Sequence, residues 1–467
     1  MPNFSYGLPI FCAGATGNFI AYGKEALFAM TYDEAVRYIK STGVFGSKLG
    51  LEVMTDLLGK MGNPQTKFKT IHIAGTNGKG SASAYISSAL CANGYKTGLF
   101  TSPPIIDETE RIQINGEFAD REDFGQITEY VKHFADEIEA DGLHYPTEFE
   151  LFTAIAFEYF ARKKVDFAVV EVGLGGRLDA TNICVPAICV IMTIALDHTQ
   201  WLGDTLEKIA YEKAGIIKNG APVVIYPELS DGVRRVIKDE AKKNGSTVYD
   251  TSDAKITIRQ SDITGNVFDY KDGSRLIENV QTSLIGMHQI KNCTTALGTL
   301  LVMKDMGFDI SVEKTLEGLK NARWPGRFDI VRKSPLVIFD GGHNEQCMRA
   351  LVNCVDMYLK PYKKILVFSM FADKDCVNSV KLLKGKFDVR IVTEMKHKRR
   401  AAAEYIAQQF DEETIIIKDT SEAVQRAVHM ALECEADGQK SAVVVCGSLN
   451  LLEEIVAGMN FKIEKLR

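Results

Sequence analysis

The chain has 467 residues, 46% of them hydrophobic and 25% charged, so it can form two or three domains with large cores and is too apolar for extended disorder. Its 55 Lys plus Arg and 61 Asp plus Glu give a net charge of −6, which argues against broad binding of nucleic acid or of an anionic membrane. Ten cysteines without a CxxC pair, and the absence of any apolar run long enough to span a bilayer, predict a reduced, cytoplasmic protein.

Residues 1–29 show weak periodicity, and we treat them as an appendage of unknown role. In residues 30–322, strands and helices alternate. The β-branched runs at 166–172 (DFAVVEV) and 187–194 (AICVIMTI) are nearly continuous, as is typical of buried parallel strands. The alternation predicts a doubly wound parallel sheet.

Residues 245–285 interrupt this rhythm with alternating polarity and turn signals, which predicts a small antiparallel appendage. A helix is expected to begin near His288. The Pro-Gly pair within residues 323–327 predicts a linker, and residues 328–467 return to α/β alternation. Two α/β domains on either side of a linker predict a ligand in the cleft between them.

A glycine-rich turn lies between a predicted strand and a predicted helix built from small residues. It consists of Gly75, Thr76, Asn77, Gly78, Lys79, Gly80 and Ser81. Glycines let backbone N–H groups face phosphate oxygens, and the helix adds the partial positive charge of its N-terminus. The match to GxxxxGK[ST] is imperfect, because Ile73 stands at the first glycine position and Gly80 separates Lys79 from Ser81. A phosphate-binding loop is the favoured interpretation, and a plain turn with a solvated lysine is the alternative.

A polar residue lies near the end of the first of the two apolar strands and another lies just past the second, and ligands collect at this edge of an open parallel sheet. Glu171 suits Mg²⁺ as an oxygen ligand and His198 suits Mn²⁺, although a helix-capping carboxylate and a core imidazole are the structural alternatives. The glycine-rich segment 173–182 (GLGGRLDATN) is interpreted as a substrate loop rather than a purely structural one.

Lys213 falls on the apolar face of a predicted helix, four residues after Ile209 and three after Ala210. An inward lysine extends to solvent, pairs with an acid or loses its proton. A neutral amine can also react with CO₂ to give a carbamate, an anion suited to Mg²⁺. Periodicity alone leaves these alternatives open.

A series of motifs in order resembles the folylpolyglutamate synthase and dihydrofolate synthase family of Mur-type ATP-dependent ligases, from about Met30 to the C-terminus. The motifs are AGTNGKGS, FTSP, ERIQING, TEFE, EVGLGGRLDATN, EKAGIIK, GMHQIKN, RWPGRFD, DGGHN, DKD and GSL. Two motifs depart from the family pattern: Pro104 replaces a histidine, and Gly342 and Glu345 replace alanine and proline.

The resemblance implies a two-domain Mur-ligase-like α/β fold, with an N-terminal P-loop sheet bearing the appendage and a C-terminal Rossmann-like domain. It implies ATP contacts from residues 75–81, Gln289, Asn292, Arg327, Asp340 and His343, and metal contacts from Ser102, Glu171, His198 and carbamylated Lys213. It also implies pterin-side contacts from Thr147, Phe149, Asp179 and Ala180, and catalytic roles for Lys79, His198, Lys213 and His343, with Lys79 and His343 countering negative charge. The implied cofactors are ATP and two Mg²⁺ ions, with a monovalent cation as a further candidate.

The implied reaction is ATP-dependent addition of L-glutamate to the γ-carboxylate of a folate, through an acyl phosphate, by a monomer. Dihydrofolate synthase activity, alone or in a bifunctional enzyme, is the alternative. A peptidoglycan Mur ligase fits less well, because no additional N-terminal nucleotide-sugar domain is evident. A regulatory nucleotide-binding protein would be expected to lack some of Lys79, Ser102, Glu171, His198 and Lys213, and all five are present.

Overall fold

The structure is a computed structural model that describes residues 21–22, 25–26, 30–45 and 50–459. Two short paired strands, β1 (Ala21–Tyr22) and β2 (Glu25–Ala26), are all that it describes of the predicted appendage 1–29; the rest lies outside the described residues. Across the described ranges, no helix combines the length and the apolarity needed to cross a membrane.

The first large sheet has eight strands in the order β10-β9-β8-β3-β7-β4-β5-β6. Six are parallel, and β5 and β6 add an antiparallel edge next to β4. The strands are β3 (Lys69–Ala74), β4 (Thr97–Phe100), β5 (Ile112–Ile114), β6 (Glu117–Phe118), β7 (Phe167–Glu171), β8 (Pro186–Ile191), β9 (Val223–Ile225) and β10 (Val248–Asp250). The central strands β7 and β8 are almost wholly buried, which explains their continuous apolar runs.

Helices cover both faces of this sheet. They are α1 (Tyr32–Ser41), α2 (Glu52–Lys60), α3 (Lys79–Ala92), α4 (Arg121–Ala140), α5 (Glu148–Lys163), α6 (Thr199–Leu202), α7 (Leu206–Ala214), α8 (Asp231–Lys243), α9 (Met287–Asp305) and α10 (Val312–Asn321). One core cluster contains side chains of α3 and α7–α10, and a second contains side chains of α1, α2, α4 and α5. Small residues let α3 pack closely: a Cβ on Gly318 of α10 would lie 2.4 Å from Cα of Ala89.

The predicted appendage is an antiparallel sheet of three strands, β11 (Lys255–Asp262), β12 (Gly265–Asp272) and β13 (Arg275–Thr282). Its predicted start at residue 245 was too early. Residues 248–250 form β10, which pairs in parallel with β9 at the edge of the large sheet. Three residues of ordinary strand composition carry too little pattern to show which sheet they join.

The second large sheet has six strands in the order β14-β15-β19-β16-β17-β18, parallel except for β14. The strands are β14 (Asp329–Lys333), β15 (Leu336–Asp340), β16 (Lys363–Phe368), β17 (Val389–Val392), β18 (Ile415–Ile416) and β19 (Ser441–Cys446). The helices are α11 (Glu345–Tyr358), α12 (Cys376–Leu383), α13 (Ala403–Phe410), α14 (Thr420–Ala436) and α15 (Leu449–Met459). The predicted fold class is confirmed, while the domain limits at residues 322 and 328 stay a proposal.

The segment between α10 and β14 joins the two sheets and packs on the first turn of α3. A Cβ on Gly80 would lie 2.4 Å from the ring of Trp324, so only glycine allows this contact. The carboxyl ends of β3, β7 and β8 and the carboxyl end of β15 consequently face one cleft.

Candidate active site

A cavity of about 420 Å³ lies in this cleft. The structure brings to its wall every residue predicted to contact the nucleotide or the metal. These are residues 75–81, Ser102, Glu171, His198, Lys213, Gln289, Asn292, Arg327, Asp340 and His343. They come from both sheets and from the connecting segment, so the cavity exists only where the two halves meet.

The glycine-rich loop begins where β3 ends, and α3 begins at Lys79. Gly78 has φ of +82°, and a Cβ there would lie 2.6 Å from Oδ1 of Asn292. The loop is tied to the segment just after β8, the strand next to β3, because the N–H of Thr76 donates to the carbonyl of Thr193 at 2.6 Å. Lys79 Nζ lies 3.7 Å from Oε1 of Glu171, so a cation and a carboxylate meet at the mouth of the loop.

Glu171 is the strongest indication of a cation site. Burial raises the pKa of its carboxyl group, and the Lys79 ammonium opposes that rise. Oε2 is buried and has no hydrogen-bond partner among the residues that the structure describes. A buried oxygen without a donor is costly unless a cation or a proton satisfies it, so this side chain fits a hard divalent metal.

The structure supports the other predicted metal ligands less strongly. His198 is half-exposed, with φ of +50°, and burial lowers the pKa of its imidazole. No cluster of three His, Cys, Asp or Glu side chains suited to a metal occurs in the described part of the chain. A metal here therefore depends on the Ser102 hydroxyl, a modified Lys213 or the phosphates of a nucleotide.

Lys213 projects from α7 toward the glycine-rich loop. The residue is 4% exposed, which rules out extension to solvent, and no carboxylate of the described residues forms an ion pair with it. Nζ donates to the carbonyl of Gly75 at 2.9 Å. Burial, reinforced by the Lys79 ammonium, lowers the pKa of Lys213 to about 7. A large fraction is then neutral near pH 7, the form that reacts with CO₂.

Asp340 and His343 enter the cavity from the end of β15. Asp340 accepts hydrogen bonds from the N–H groups of Phe328 (2.9 Å) and Gly342 (2.8 Å), so its carboxylate fixes the connecting segment against the turn. Burial lowers the pKa of His343 to about 4. An uncharged imidazole would act by hydrogen bonding in the cleft as it stands, and the role of His343 in countering negative charge stays a prediction.

The family departure at Gly342 has a local explanation. A Cβ there would lie 2.8 Å from Oδ1 of Asp340 and 2.9 Å from Cβ of Cys347. Because a β-carbon on residue 342 would crowd Cys347, the glycine and the cysteine fit each other. The described cysteines, Cys347 included, are free thiols.

Gln289 and Asn292 lie on the first turns of α9. Gln289 Nε2 donates to Oγ of Ser81 at 3.3 Å, and Asn292 Nδ2 donates to Oε1 of Gln289 at 3.0 Å. These bonds hold the start of α3 and leave the two amides at the wall of the cavity. His288, Tyr226 and Lys291 line the same cavity and were not predicted, although Tyr226 directly follows β9 and the other two lie in the GMHQIKN motif.

The four residues predicted to contact a pterin line neither this cavity nor the second one described below. Thr147 and Glu150 form the capping box of α5. Asp179 accepts bonds from the N–H groups of Leu174 and Thr181. Phe149 packs against Gly173, and Ala180 is buried. These contacts support structural roles, so a role in pterin binding stays a prediction.

Sequence reasoning missed a second cavity, of about 880 Å³, formed by α3, the loop after β4, the β5–β6 edge and the connecting segment. Its wall includes Trp324, Pro325, Ile105, Gln113 and Arg121. The two cavities share Gly80, Ser102, Pro103, Glu171, Arg327 and Leu449. Their common wall thus contains the carboxylate with the unpartnered oxygen.

Comparison with protein families matches both halves of the chain. The Mur ligase middle domain matches residues 73–300, and the Mur ligase, glutamate ligase domain matches residues 326–449. The two matched segments form opposite walls of the cleft.

Individual proteins are similar over most of their length. The dihydrofolate synthase/folylpolyglutamate synthase of Bacillus subtilis is 38% identical over 355 residues, which cover 75% of this chain and 82% of that protein. The probable dihydrofolate synthetase of Schizosaccharomyces pombe is 33% identical over 423 residues, covering 87% and 97%. Among solved structures, the bifunctional folylpolyglutamate synthase/dihydrofolate synthase of Yersinia pestis complexed with AMPPNP and Mn ion has a TM-score of 0.78 and 28% identity, covering 92% of this chain and 98% of that one.

Proposed function

The chain belongs to the folylpolyglutamate synthase/dihydrofolate synthase family of Mur-type ligases, and on that premise we propose that it is an ATP-dependent ligase that adds L-glutamate to the γ-carboxylate of a folate or tetrahydrofolate. One observation carries the proposal. The phosphate loop, Glu171 and Lys213 meet in a cavity whose wall is shared with a second, larger cavity. A nucleotide and an organic acid could therefore occupy neighbouring sites and react across that wall.

The second cavity supports a folate as the acid. It combines apolar surface from Trp324 and Ile105 with polar groups from Gln113 and Arg121, as an aromatic heterocycle with several donors and acceptors requires. The reacting carboxylate would then lie near Ser102 and Arg327, at the junction with the nucleotide cavity.

The chemistry has two steps. A γ-carboxylate oxygen attacks the γ-phosphorus of ATP, the bond from that phosphorus to the β–γ bridging oxygen breaks, and ADP leaves. The amine of glutamate, after losing a proton to solvent or to a neighbouring base, attacks the acyl carbon, and phosphate leaves with the carboxylate oxygen. No enzyme nucleophile is required, so catalysis is mainly positioning and stabilisation of charge.

Each residue has a defined task in this scheme. Lys79 and the N–H groups of the loop hold the phosphates, and Lys79 stabilises charge on the transferred group. His343, whose pKa is lowered to about 4, is neutral and orients substrate by hydrogen bonding. Glu171, with Ser102, His198 and carbamylated Lys213, would hold Mg²⁺, which supplies Lewis-acid neutralisation of phosphate charge.

The Yersinia pestis structure was determined with a nucleotide analogue and a manganese ion, which supports ATP and a divalent metal here. We further propose that the enzyme uses two Mg²⁺ ions and a monovalent cation. We also propose that it acts as a monomer in the cytoplasm.

Dihydrofolate synthase activity is the second candidate, because relatives of similar identity have that name. Turnover with dihydropteroate and with tetrahydrofolate, each supplied with ATP and glutamate, separates the candidates. We expect ADP and a glutamylated product with tetrahydrofolate. Product from dihydropteroate alone would establish the second candidate. ATP binding without ADP formation with either acid would contradict both and favour a regulatory protein.

A further inference from the structure

Asn77 belongs to the phosphate loop, yet its side chain is directed to the other half of the molecule. Nδ2 donates to Oε1 of Gln346 at 2.6 Å and to Oδ1 of Asn344 at 3.3 Å. Oδ1 accepts from Nδ2 of Asn344 at 3.0 Å and from Sγ of Cys347 at 3.1 Å. Within the described residues, every side-chain hydrogen bond of Asn77 therefore goes to the turn and first residues of α11.

Gln346 completes this contact. Its Oε1 also accepts from the hydroxyl of Thr193 at 3.0 Å. Thr193 lies just past β8, and its hydroxyl contacts both the N–H and the carbonyl of Asn77, at 3.0 and 3.1 Å. The side-chain amide oxygen of Gln346 on α11 thus contacts both the phosphate loop and the segment after β8 that supports the loop.

A second contact lies beside the first. Lys374 Nζ is 3.1 Å from Oδ1 of Asp197, and both side chains are only about one-seventh exposed, at 15% and 14%. Asn344 Nδ2 also donates to Oδ2 of Asp197 at 3.3 Å. The contact between the two halves is thus a continuous polar patch, next to His198 on one side and His343 on the other.

We propose that Asn77 and Gln346 are positioning residues that couple phosphate binding to closure of the second domain. The Thr193 hydroxyl, which accepts from the N–H of Asn77 and contacts its carbonyl, holds the loop backbone in one conformation, and that conformation also directs the Asn77 amide toward α11. A nucleotide that fixes the loop therefore favours docking of α11, which brings His343 to the cavity and excludes water from the acyl phosphate. This inference rests on the proposed function only for its catalytic readout.

The test compares Gln346→Leu, which removes the acceptor at similar volume, with Asn77→Ala and the double variant. Glu345→Gln is the matched control, because Glu345 lies on the same turn and its side chain, among the residues that the structure describes, bonds only to Arg349. Small-angle X-ray scattering with a non-hydrolysable ATP analogue reports closure without any folate chemistry. The second readout is the ratio of ADP released to glutamate incorporated.

We expect Gln346→Leu to remain expanded with the analogue, to lose about tenfold in kcat/KM for glutamate, and to release more than one ADP per glutamate incorporated, since a partly buried hydrogen-bond network has lost its acceptor. The Asn77–Gln346 bond is lost in both single variants, so the double variant should lose less than the product of the two single effects. Glu345→Gln should match the wild type in scattering and in ADP ratio.

The proposal would be overturned if the losses of the two single variants multiplied in the double variant. It would also be overturned if Gln346→Leu kept the wild-type scattering and the wild-type ratio of ADP to glutamate. If Gln346→Leu does not fold, Gln346→Ser, whose side chain is too short to reach Asn77, makes the same test. Analogue-dependent compaction that Gln346→Leu abolishes, without turnover of any folate, would uphold the coupling and reject the proposed function.

Discussion

Replacing Lys79 by alanine is expected to lower the rate of ADP formation by about 10³-fold or more. Lys79 is the cation of the phosphate loop, and its Nζ lies 3.7 Å from the Glu171 carboxylate at the mouth of the cavity. Without it, the charge that develops on the transferred phosphoryl group loses a fixed partner in a site of low dielectric constant, where such groups contribute most. The rate of ADP formation with saturating folate and glutamate measures the effect directly.

Lys208→Ala is the matched control for this loss. Lys208 lies on α7, the helix that also contains Lys213, and its ammonium pairs with Asp204 on the surface, where both side chains are largely exposed. Such a pair contributes little, so this variant should keep the wild-type rate. Near-normal ADP formation by Lys79→Ala would mean that the loop does not hold the reacting phosphate.

Lys213→Ala is expected to lose at least about 10²-fold in ligase activity, because removing one fixed electrostatic group from a catalytic site typically has that cost. If the native residue acts as a carbamate, a small carboxylate such as acetate should partly restore activity to Lys213→Ala, and should not restore activity to Lys79→Ala. Wild-type activity in Lys213→Ala would exclude the carbamate and any catalytic role for this amine. A loss that no carboxylate repairs would point to the amine itself as the required group.

The pH dependence of stability tests the burial of Lys213 without reference to catalysis. Its pKa falls from 10.5 to about 7 on folding, so between these values the unfolded chain binds more protons than the folded one. Stability from this group therefore rises with pH across that window, by at most about 1.4 kcal/mol per pH unit, and is constant below it. In CO₂-depleted buffer, Lys213→Met should be more stable than the wild type at pH 7, with an advantage that shrinks toward pH 10. A constant difference in melting temperature would contradict the depressed pKa.

Much of the fold follows from local pattern. Continuous β-branched runs predict β7 and β8, because strands buried on both faces have no polar side to alternate with. The same reasoning fails for β10, β5 and β6, which are two or three residues long and owe their places to neighbouring strands. Short edge strands are determined by tertiary pairing, and no local signal specifies their partner.

The features of the site likewise divide into those that local sequence rules predict and those that they do not. Strand ends predict Glu171 and His198, and helical periodicity predicts the inward face of Lys213, because each rule is local. Such local rules cannot predict the second cavity, since its wall combines residues as far apart in the sequence as Ser87 and Trp324. The direction of the Asn77 amide is also unpredictable from sequence, because it depends on how the two sheets dock.

The central claim is that the cleft transfers the γ-phosphate of ATP to a substrate carboxylate before glutamate attacks. Turnover of a folate whose γ-carboxylate is labelled with ¹⁸O, followed by mass spectrometry of the released phosphate, tests it most directly. The account predicts phosphate that carries one labelled oxygen for each amide bond formed. Phosphate without the label would contradict it, because the carboxylate would then never have been bonded to phosphorus.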